Sequence, residues 1–236
     1  MIKTVPKRLI QISKVSLPSH VIKLSMKHCK KWEYLHFDDE AMLSYIMKNP
    51  LPEFPNLVNV LQSFRHGAHK ADLFRYYYLY LNGGVYLDSD AILEKKIERI
   101  IEDHSFTTIK AYHNNEPLIF NGFLACPAGN PVIYEALKRT YKMDPATLES
   151  DYHAICKDLL NILSENSYKN VQIHQEIKND EFYAGVKSVN IHNECLVTHY
   201  CYIKRIPKIN MLNEWFYRRV VFGRLKPFKA YKRLFE

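Results

Sequence analysis

Residues 67–90 read GAHKADLFRYYYLYLNGGVYLDSD, and the fold class is predicted from this segment. Its first part, residues 67–81, predicts a helix that is closed by the following Asn-Gly-Gly run. The VYLD segment, residues 85–88, follows the glycines directly and predicts a strand. A helix that passes straight into a strand in this way is typical of an α/β sheet.

The rest of the chain continues the alternation of strands and helices. We therefore predict an α/β fold with a mostly parallel central sheet and helices on both faces. Prolines in the NPLPEFPN segment predict a loop between two of the helices. The predicted strands lie at 8–13, from Trp32, near 105–111, 119–126, 171–173 and 194–199, and the further helices at 21–31, 39–48, 131–141 and 152–164.

The composition indicates a globular protein without structural cross-links. The chain has 236 residues, of which 47% are hydrophobic and 13% aromatic, enough to bury a full core. Its five cysteines lack the paired spacing of a zinc site or a disulfide framework, which favours a reducing compartment. The apolar runs are too short for a signal peptide or a membrane span, so we expect a cytoplasmic protein.

The C-terminal segment is strongly basic within a chain of net charge +8. We predict one domain over 1–210 and a basic, aromatic extension over 211–236. Such an extension suits a peripheral contact with an anionic membrane or a nucleic acid. A terminal helix packed on the domain, interrupted at Gly223 and Pro227, explains the same residues.

Asp88 and Asp90 stand at the carboxyl end of a predicted strand, where α/β proteins collect functional groups. Side chains two apart in extended backbone point to the same side, so the two carboxylates can project together. Carboxylates this close repel unless a cation lies between them, and hard oxygen ligands favour Mg²⁺ or Mn²⁺. Two aspartates in a solvated turn that binds no ion would give the same pattern.

The helix before this pair adds Asp72 and Arg75, three residues apart and on one face. The whole stretch resembles the signature of glycosyltransferase family 32, an A-x-x-x-D-x-x-R-Y-x-x-L-x-x-x-G-G-x-Y-x-D-x-D run. The opening PKRLIQIS and the central FNGFLACPAGNP resemble further segments of that family. The matching positions are Ala68, Asp72, Arg75, Tyr76, Leu79, Gly83, Gly84, Tyr86, Asp88 and Asp90.

The resemblance implies a GT-A fold, a UDP- or GDP-linked sugar donor, a Mn²⁺ or Mg²⁺ ion and retention of anomeric configuration. It assigns Asp88 to the ribose and the water shell of the metal, and Asp90 to the metal beside the diphosphate. Asp72 and Arg75 would hold the hydroxyls of the donor sugar, while Tyr86 would line the nucleotide pocket. The basic balance of the chain favours such an anionic donor.

Four further residues receive roles under the same resemblance. His199 is the candidate third metal ligand, and Asn121 the residue that faces the sugar or the acceptor. Gln11, in the opening strand, and Trp215 are candidates for donor binding. A core or surface histidine, a turn asparagine and a core tryptophan are the alternatives. The family's opening His and Trp, and its glycine-proline acceptor motif near the 152–164 helix, are absent, which leaves the base-stacking group and the acceptor open.

Two other functions are alternatives to a transferase. VYLDSDAIL also resembles the first motif of haloacid-dehalogenase phosphatases, but it arrives late in the chain and lacks their later acidic pair. A non-catalytic adaptor that binds nucleic acid or a membrane would explain the basic C-terminal extension. It would not explain why the acidic and basic residues from Asp72 to Asp90 occur together. We therefore expect a hexose transferase that acts on a glycan or protein hydroxyl, with no nucleic-acid partner.

Overall fold

A nine-stranded sheet organises the computed structural model, which describes residues 4–14, 16–17, 19–177, 186–190 and 192–199. The strands are β1 (Arg8–Ile12), β2 (Glu33–Phe37), β3 (Gly84–Leu87), β4 (Ala91–Leu93), β5 (Phe106–His113), β6 (Glu116–Cys126), β7 (Val171–Ile177), β8 (Val186–Val189) and β9 (Cys195–His199).

Eight α-helices in the described part of the chain connect or cover these strands. A short 3-10 turn, Met26–His28, continues the first of them. The helices are α1 (Ser19–Ser25), α2 (Asp39–Lys48), α3 (Leu57–Ser63), α4 (Gly67–Asn82), α5 (Ile97–Ile101), α6 (Pro131–Lys142), α7 (Pro145–Ser150) and α8 (Ala154–Glu165).

The sheet is mixed, with the order β2-β1-β3-β6-β5-β7-β8-β9-β4. Strand β1 pairs parallel with β2 and β3, and β5 pairs parallel with β7. The other pairings are antiparallel, so the prediction of a mostly parallel sheet is wrong, although the α/β class is confirmed. The reversal at β5–β6 comes from a two-residue turn, in which Asn114 and Asn115 have φ of 50° and 67°.

Six strands nevertheless share one direction. Because β6 is antiparallel to both β3 and β5, and β8 to both β7 and β9, strands β1, β2, β3, β5, β7 and β9 all run the same way. Their carboxyl ends therefore meet at one edge of the sheet. In α/β folds this edge is where ligands bind.

Both faces of the sheet are buried under helices, as predicted. Along β3 and β1, Val85 and Leu9 belong to one apolar cluster, which includes residues of α5. Tyr86 and Ile10 point to the other cluster, which includes residues of α2, α4, α6 and α8. The alternation follows the two-residue period of a strand whose two faces are both covered.

The two glycines after α4 are required by the backbone. Gly83 has φ of 66°, and its N–H donates to the Leu79 carbonyl over 2.8 Å, which closes the helix as the sequence predicts. Gly84 has φ of 115°, and a side chain there would lie 3.0 Å from the Arg8 carbonyl oxygen. The chain can therefore leave the buried helix and enter the sheet beside β1 without a connecting loop.

Most of the predicted elements are present, and the missed ones are short. The strands near 8–13 and 119–126 and the helices at 39–48 and 131–141 are confirmed. The helix predicted over 21–31 is wrong in its second half, which is the 3-10 turn and a loop. Helices α3, α5 and α7 and strands β4 and β8 were not predicted. Each spans seven residues or fewer, too few to show a clear period.

Within the described ranges, no helix is both long and apolar enough to cross a membrane. The predicted extension over 211–236, including Gly223 and Pro227, lies outside the described residues.

Gly83 offers a direct test of this fold. A Cβ at this position would lie 2.6 Å from the Ala128 nitrogen and 2.8 Å from the Cys126 carbonyl oxygen. We therefore expect Gly83→Ala to lower the free energy of unfolding by about 2–4 kcal/mol, measured by urea denaturation. The control is Gly67→Ala, where the nearest atom lies at 3.5 Å, with an expected change of about 1 kcal/mol or less. Equal losses in the two variants would contradict this reading of the turn.

Candidate active site

A cavity of about 660 Å³ lies at the edge where the parallel strands end. Its wall includes the ends of β1, β3, β5 and β7, one face of α4, the middle of β6 and the start of α8. The residues Asp72, Arg75, Tyr86, Asp88, Asp90, Asn121 and His199, all selected from the sequence, line this cavity.

The loop that carries the two aspartates is fixed by backbone hydrogen bonds. The Asp88 N–H donates to the Gly122 carbonyl over 2.8 Å, and the Ala91 N–H donates to the Asp88 carbonyl over 3.0 Å. The Gln11 side-chain amide donates to the same carbonyl over 3.3 Å. Asp88 and Asp90 are therefore presented by a turn that is tied to both neighbouring strands.

His199 reaches this turn through the pairing of β4 with β9. Ala91 stands opposite His199 in the antiparallel register, so the histidine lies beside the residue that precedes Ala91. Its Nε2 is 3.3 Å from Oδ1 of Asp90. The Phe120 ring packs against the imidazole with 4.4 Å between ring centroids, which holds its orientation.

Asp88, Asp90 and His199 form a group that could hold a metal ion. Each offers one ligand atom, and these three atoms lie within 4.8 Å of one another. Two carboxylate oxygens and an imidazole nitrogen suit Mn²⁺ or Mg²⁺, with Mn²⁺ favoured by the nitrogen. Asp90 is buried and the other two are half-buried, so the group faces the cavity.

Arg75 lies between the carboxylates of the site. Its Nη1 is 3.3 Å from Oδ1 of Asp72, and its Nη2 is 3.6 Å from Oδ1 of Asp88. The same Nη1 donates to the Asn121 carbonyl over 2.6 Å, and the guanidinium carbon lies 4.0 Å from the centre of the Tyr86 ring. Only 5% of Arg75 is exposed, so its charge acts mainly on these neighbours.

Asn121 links the helix and the sheet sides of the site. Its Nδ2 donates to Oδ1 of Asp72 over 3.1 Å, and its Oδ1 accepts a hydrogen bond from the Tyr76 hydroxyl over 2.9 Å. Both polar ends of the amide therefore orient buried groups. Asn121 therefore connects two buried side chains and is not only a turn asparagine, which was the alternative from the sequence.

Burial sets the protonation tendencies of the cluster. It raises the pKa of Asp72, while Arg75 and the hydrogen bond from Asn121 oppose that rise. For Arg75, burial alone would lower the pKa, but Tyr86, Asp72 and Asp88 raise it above its usual value. Burial also keeps the pKa of Tyr86 well above its usual value, so its neutral hydroxyl donates to Oδ1 of Asp88 over 2.7 Å.

Gly122 is a contributor that the sequence reasoning passed over. A side chain at this position would place its Cβ 2.5 Å from Oδ2 of Asp88 and 2.1 Å from Cζ of Phe120. Only glycine leaves space for both neighbours in these positions. The Asn-Gly pair in FNGFLAC is the sequence feature that marks this glycine. Asp88, whose side chain needs the space, is distant from it in the sequence.

One predicted donor-binding residue, Gln11, is not part of the cavity lining. Gln11 is fully buried and accepts a hydrogen bond from the Tyr34 hydroxyl over 3.1 Å, besides donating to the Asp88 carbonyl. It supports the loop from beneath, so a direct donor contact does not agree with its position. Trp215 lies outside the described residues.

The cavity also contains residues that no sequence pattern selected: Tyr112, His113, Tyr152, His153, Cys156 and Glu176. Strand β5 ends at His113 and not at residue 111, where the sequence analysis placed its end. If the end of β5 had been predicted at His113, the rule that functional groups lie at strand ends would have selected Tyr112 and His113.

The buried position of Arg75 has a measurable consequence. Arg75→Met leaves two carboxylates without their cation, so we expect a loss of about 3–5 kcal/mol in the free energy of unfolding at pH 7. Arg139→Met is the matched control, since that arginine contacts Glu135, Asp158 and Glu165 with 30% of its side chain exposed. Its expected loss is about 1 kcal/mol or less.

The loss should also depend on pH with a defined sign. Without Arg75, the native pKa of Asp72 lies further above its unfolded value, so stability falls as pH rises between the two. The deficit of Arg75→Met should therefore shrink as pH falls toward about 4, where unfolded aspartate begins to take up protons. A deficit that is equal at pH 4 and pH 7, or no larger than that of Arg139→Met, would contradict the buried-pair interpretation.

The known proteins to which this chain is similar are glycosyltransferases. Residues 18–107 match the family model described as a glycosyltransferase sugar-binding region containing a DXD motif. Inositol phosphoceramide mannosyltransferase 1 of Schizosaccharomyces pombe is 25% identical over 114 residues, which cover 48% of this chain. The match spans only 33% of the length of that relative.

Two solved glycosyltransferases have partly similar structures. The PaToxG glycosyltransferase aligns with a TM-score of 0.49 and 16% identity, over 68% of this chain and 69% of its own. GlyE of Streptococcus pneumoniae aligns with a TM-score of 0.38 and 11% identity, over 76% of this chain and 46% of its own. Residues 18–107, which include both aspartates of the cavity, are thus similar to the sugar-binding region of DXD-containing glycosyltransferases.

Proposed function

We propose that the chain is a metal-dependent, retaining glycosyltransferase that moves a hexose from a UDP- or GDP-sugar to a hydroxyl of a glycan or protein. The observation that carries this proposal is the group of Asp88, Asp90 and His199, whose ligand atoms lie within 4.8 Å of one another. A DXD sugar-binding region and a cavity of about 660 Å³ accompany it. That volume is in the range of small-molecule sites.

A divalent cation agrees with the charges around this group. Asp88 and Asp90 place two carboxyl groups beside the imidazole of His199, and these ligand atoms lie within 4.8 Å of one another. Carboxyl groups this close favour a divalent cation such as Mn²⁺ or Mg²⁺ between them. When bound there, the cation would neutralise negative charge on the diphosphate that leaves the sugar.

Asp72 and Asn121 are the groups we assign to the donor sugar. Both line the cavity next to Asp88, and carboxylate and amide groups are suitable partners for sugar hydroxyls. Arg75 then acts through them, because its guanidinium is buried between Asp72 and Asp88. Its proposed role is to orient Asp72 and Asn121, in place of the direct contact with the sugar hydroxyls that the family resemblance implies.

The nucleotide is assigned to the β1 side of the cavity. Ser13 and Lys14, just beyond the end of β1, line that wall together with Asp39 of α2. Lysine is a point charge that suits phosphate, and the net charge of +8 favours an anionic donor in general. Tyr86 belongs to the wall below Asp88, where its ring supports Arg75.

Retention is proposed to occur by substitution on one face of the sugar. Asp72, a carboxyl group of the cavity wall that is not a metal-ligand candidate, is engaged by Arg75 and Asn121. A covalent intermediate on this group is therefore disfavoured. In the proposed step the acceptor oxygen bonds to the anomeric carbon as its bond to the diphosphate breaks, and the acceptor proton passes to a departing phosphate oxygen.

The name of the Schizosaccharomyces pombe relative suggests which donor sugar to test first. That relative is named as a mannosyltransferase acting on an inositol phosphoceramide, so a mannose-containing donor comes first in the screen. The adaptor alternative depends on the basic tail, which lies outside the described residues. A peripheral membrane contact and a cytoplasmic location stay predictions.

The metal and donor roles are tested together by thermal unfolding of the full chain. We expect Mn²⁺ combined with one of UDP, GDP, UDP-glucose or GDP-mannose to raise Tm by several degrees, because a ligand at about 100 Kd adds about 2.7 kcal/mol. Asp90→Ala should abolish that rise and lower Mn²⁺-dependent donor hydrolysis at least about 100-fold. Asp103→Ala, an exposed aspartate remote from the cavity, should behave as the wild type.

An Asp90→Ala protein that keeps the metal-dependent rise in Tm would remove the basis of the proposal. Stabilisation by oligonucleotides or anionic vesicles, with none by nucleotide sugars, would favour the adaptor instead.

The stereochemical outcome is tested separately by product analysis. We expect NMR of the first-formed product to show the same anomeric configuration as the donor, because attack and departure share one face. The coupling constant of the anomeric proton, measured before the product mutarotates, gives the answer. An inverted linkage would exclude front-face substitution while leaving transferase activity intact.

A further inference from the structure

One wall of the cavity is built from aromatic rings that are unusually exposed. Among the described residues, Tyr112 is 41% and Tyr152 is 52% exposed, and both line the cavity. The rings of His113 and His153 contact each other at a tilt of 42° with centroids 4.2 Å apart, and the centroids of the Tyr152 and His153 rings are 5.1 Å apart. We call these four residues the aromatic rim.

The backbone of the aromatic rim is held in place. A ring nitrogen of His69, on α4, lies 2.9 Å from the Tyr152 carbonyl oxygen. The His153 N–H donates to Oδ1 of Asp151 over 2.9 Å, and Lys157 lies 3.0 Å from Oδ2 of the same residue. An exposed tyrosine on a fixed turn loses little conformational freedom when a ligand contacts its ring.

The aromatic rim stands on the side of the cavity away from β1. In the sheet, β1 is next to β3 on one side, while β6 and then β5 follow on the other. Asp88 and Asp90, after β3, therefore lie between the end of β1 and the end of β5. A donor with its diphosphate at the aspartates and its nucleoside toward β1 leaves the β5 side for a second substrate.

Polar groups accompany the rings. Glu176, on β7, also lines the cavity, and its carboxylate accepts a hydrogen bond from the Tyr112 N–H. The two histidines of the aromatic rim add ring nitrogens. Aromatic faces mixed with carboxylate and imidazole groups match a sugar ring, which has an apolar C–H face and a polar edge. An alkyl chain would instead need a continuous apolar wall.

We propose that the aromatic rim is the acceptor subsite and that it binds a sugar ring of a glycan, with its C–H face against Tyr112 and Tyr152. Hydroxyls at the edge of that ring then reach Glu176 and His153. The inference rests on the proposed function for its direction of transfer. It narrows the acceptor from a glycan or protein hydroxyl to a carbohydrate hydroxyl.

The test separates binding of the acceptor from turnover of the donor. Saturation-transfer NMR of the full chain with methyl α-mannopyranoside, methyl β-glucopyranoside and methyl β-galactopyranoside should detect binding of at least one glycoside. The double variant Tyr112→Ala/Tyr152→Ala should weaken that binding about ten-fold or more, whereas Tyr112→Phe/Tyr152→Phe should keep it within about two-fold. Met47→Ala, which removes a side chain 66% exposed outside the cavity lining, is the control and should change nothing.

Kinetics with the same glycosides provide a second readout. The alanine pair should raise KM for the glycoside about ten-fold more than KM for the donor. Asp90→Ala should lose donor turnover but still bind the glycoside in the NMR experiment. Absence of donor hydrolysis in the wild type would therefore count against the proposed function, while glycoside binding would still test the aromatic rim.

Three results would overturn the assignment. One is that none of the glycosides binds although donor hydrolysis proceeds. Another is that the alanine pair raises KM for the donor more than KM for the glycoside, which would make the rings a wall for the nucleotide base. The third is that a serine-containing peptide accepts sugar and its KM rises in the alanine pair, while the glycosides show no such effect.

Discussion

The site depends on one buried cation, the guanidinium of Arg75. It lies against Asp72 from its own helix and Asp88 from the next strand, and the Tyr86 ring covers one of its faces. Without it, two carboxylates would face each other in a poorly solvated pocket, and folding would force one of them to take up a proton. Arg75 thus lets α4 and β3 bring acidic groups together before any ligand arrives.

A second constraint is the short route from helix to strand. Gly83 and Gly84 allow α4 to end and β3 to begin with no intervening loop, so Asp72 on α4 and Asp88 in the turn directly after β3 are held by two rigid elements. Rigid elements hold binding groups more accurately than loops do. On the far side, the register of β4 against β9 sets His199 beside Asp90, which joins groups more than one hundred residues apart in the chain.

The sequence predicts the parts of this arrangement that are local. The helix over 67–81, the glycine cap and the strand before Asp88 all depend on contacts between near neighbours, and they are confirmed. Strand β4 has only three residues, and its partner comes late in the chain, so no local period reveals it. Asn114 and Asn115 did signal a hairpin, but the sheet was expected to be mostly parallel and the reversal was missed.

Side-chain roles divide in the same way. The residue types of Asp88, Asp90 and His199 and their chemistry could be selected from the sequence, and the structure brings them together. The burial of Arg75 depends on how α4 packs on the sheet, and the position of Gln11 beneath the loop depends on how β2 pairs with β1; residue spacing in the sequence shows neither. The family motif predicts which residues belong to the site, whereas the packing of the elements determines which of their side chains face the cavity.

The central claim is that this buried charge cluster exists to present three ligands to a divalent cation. Anomalous diffraction from a crystal of the full chain soaked in Mn²⁺ and a nucleoside diphosphate tests it most directly. We expect one dominant peak about 2.0–2.3 Å from ligand atoms of Asp90 and His199, with Asp88 at the same ion directly or through a water. A cavity that holds the nucleotide with no peak at these residues, or a Mn²⁺ peak held by other side chains, would contradict the claim.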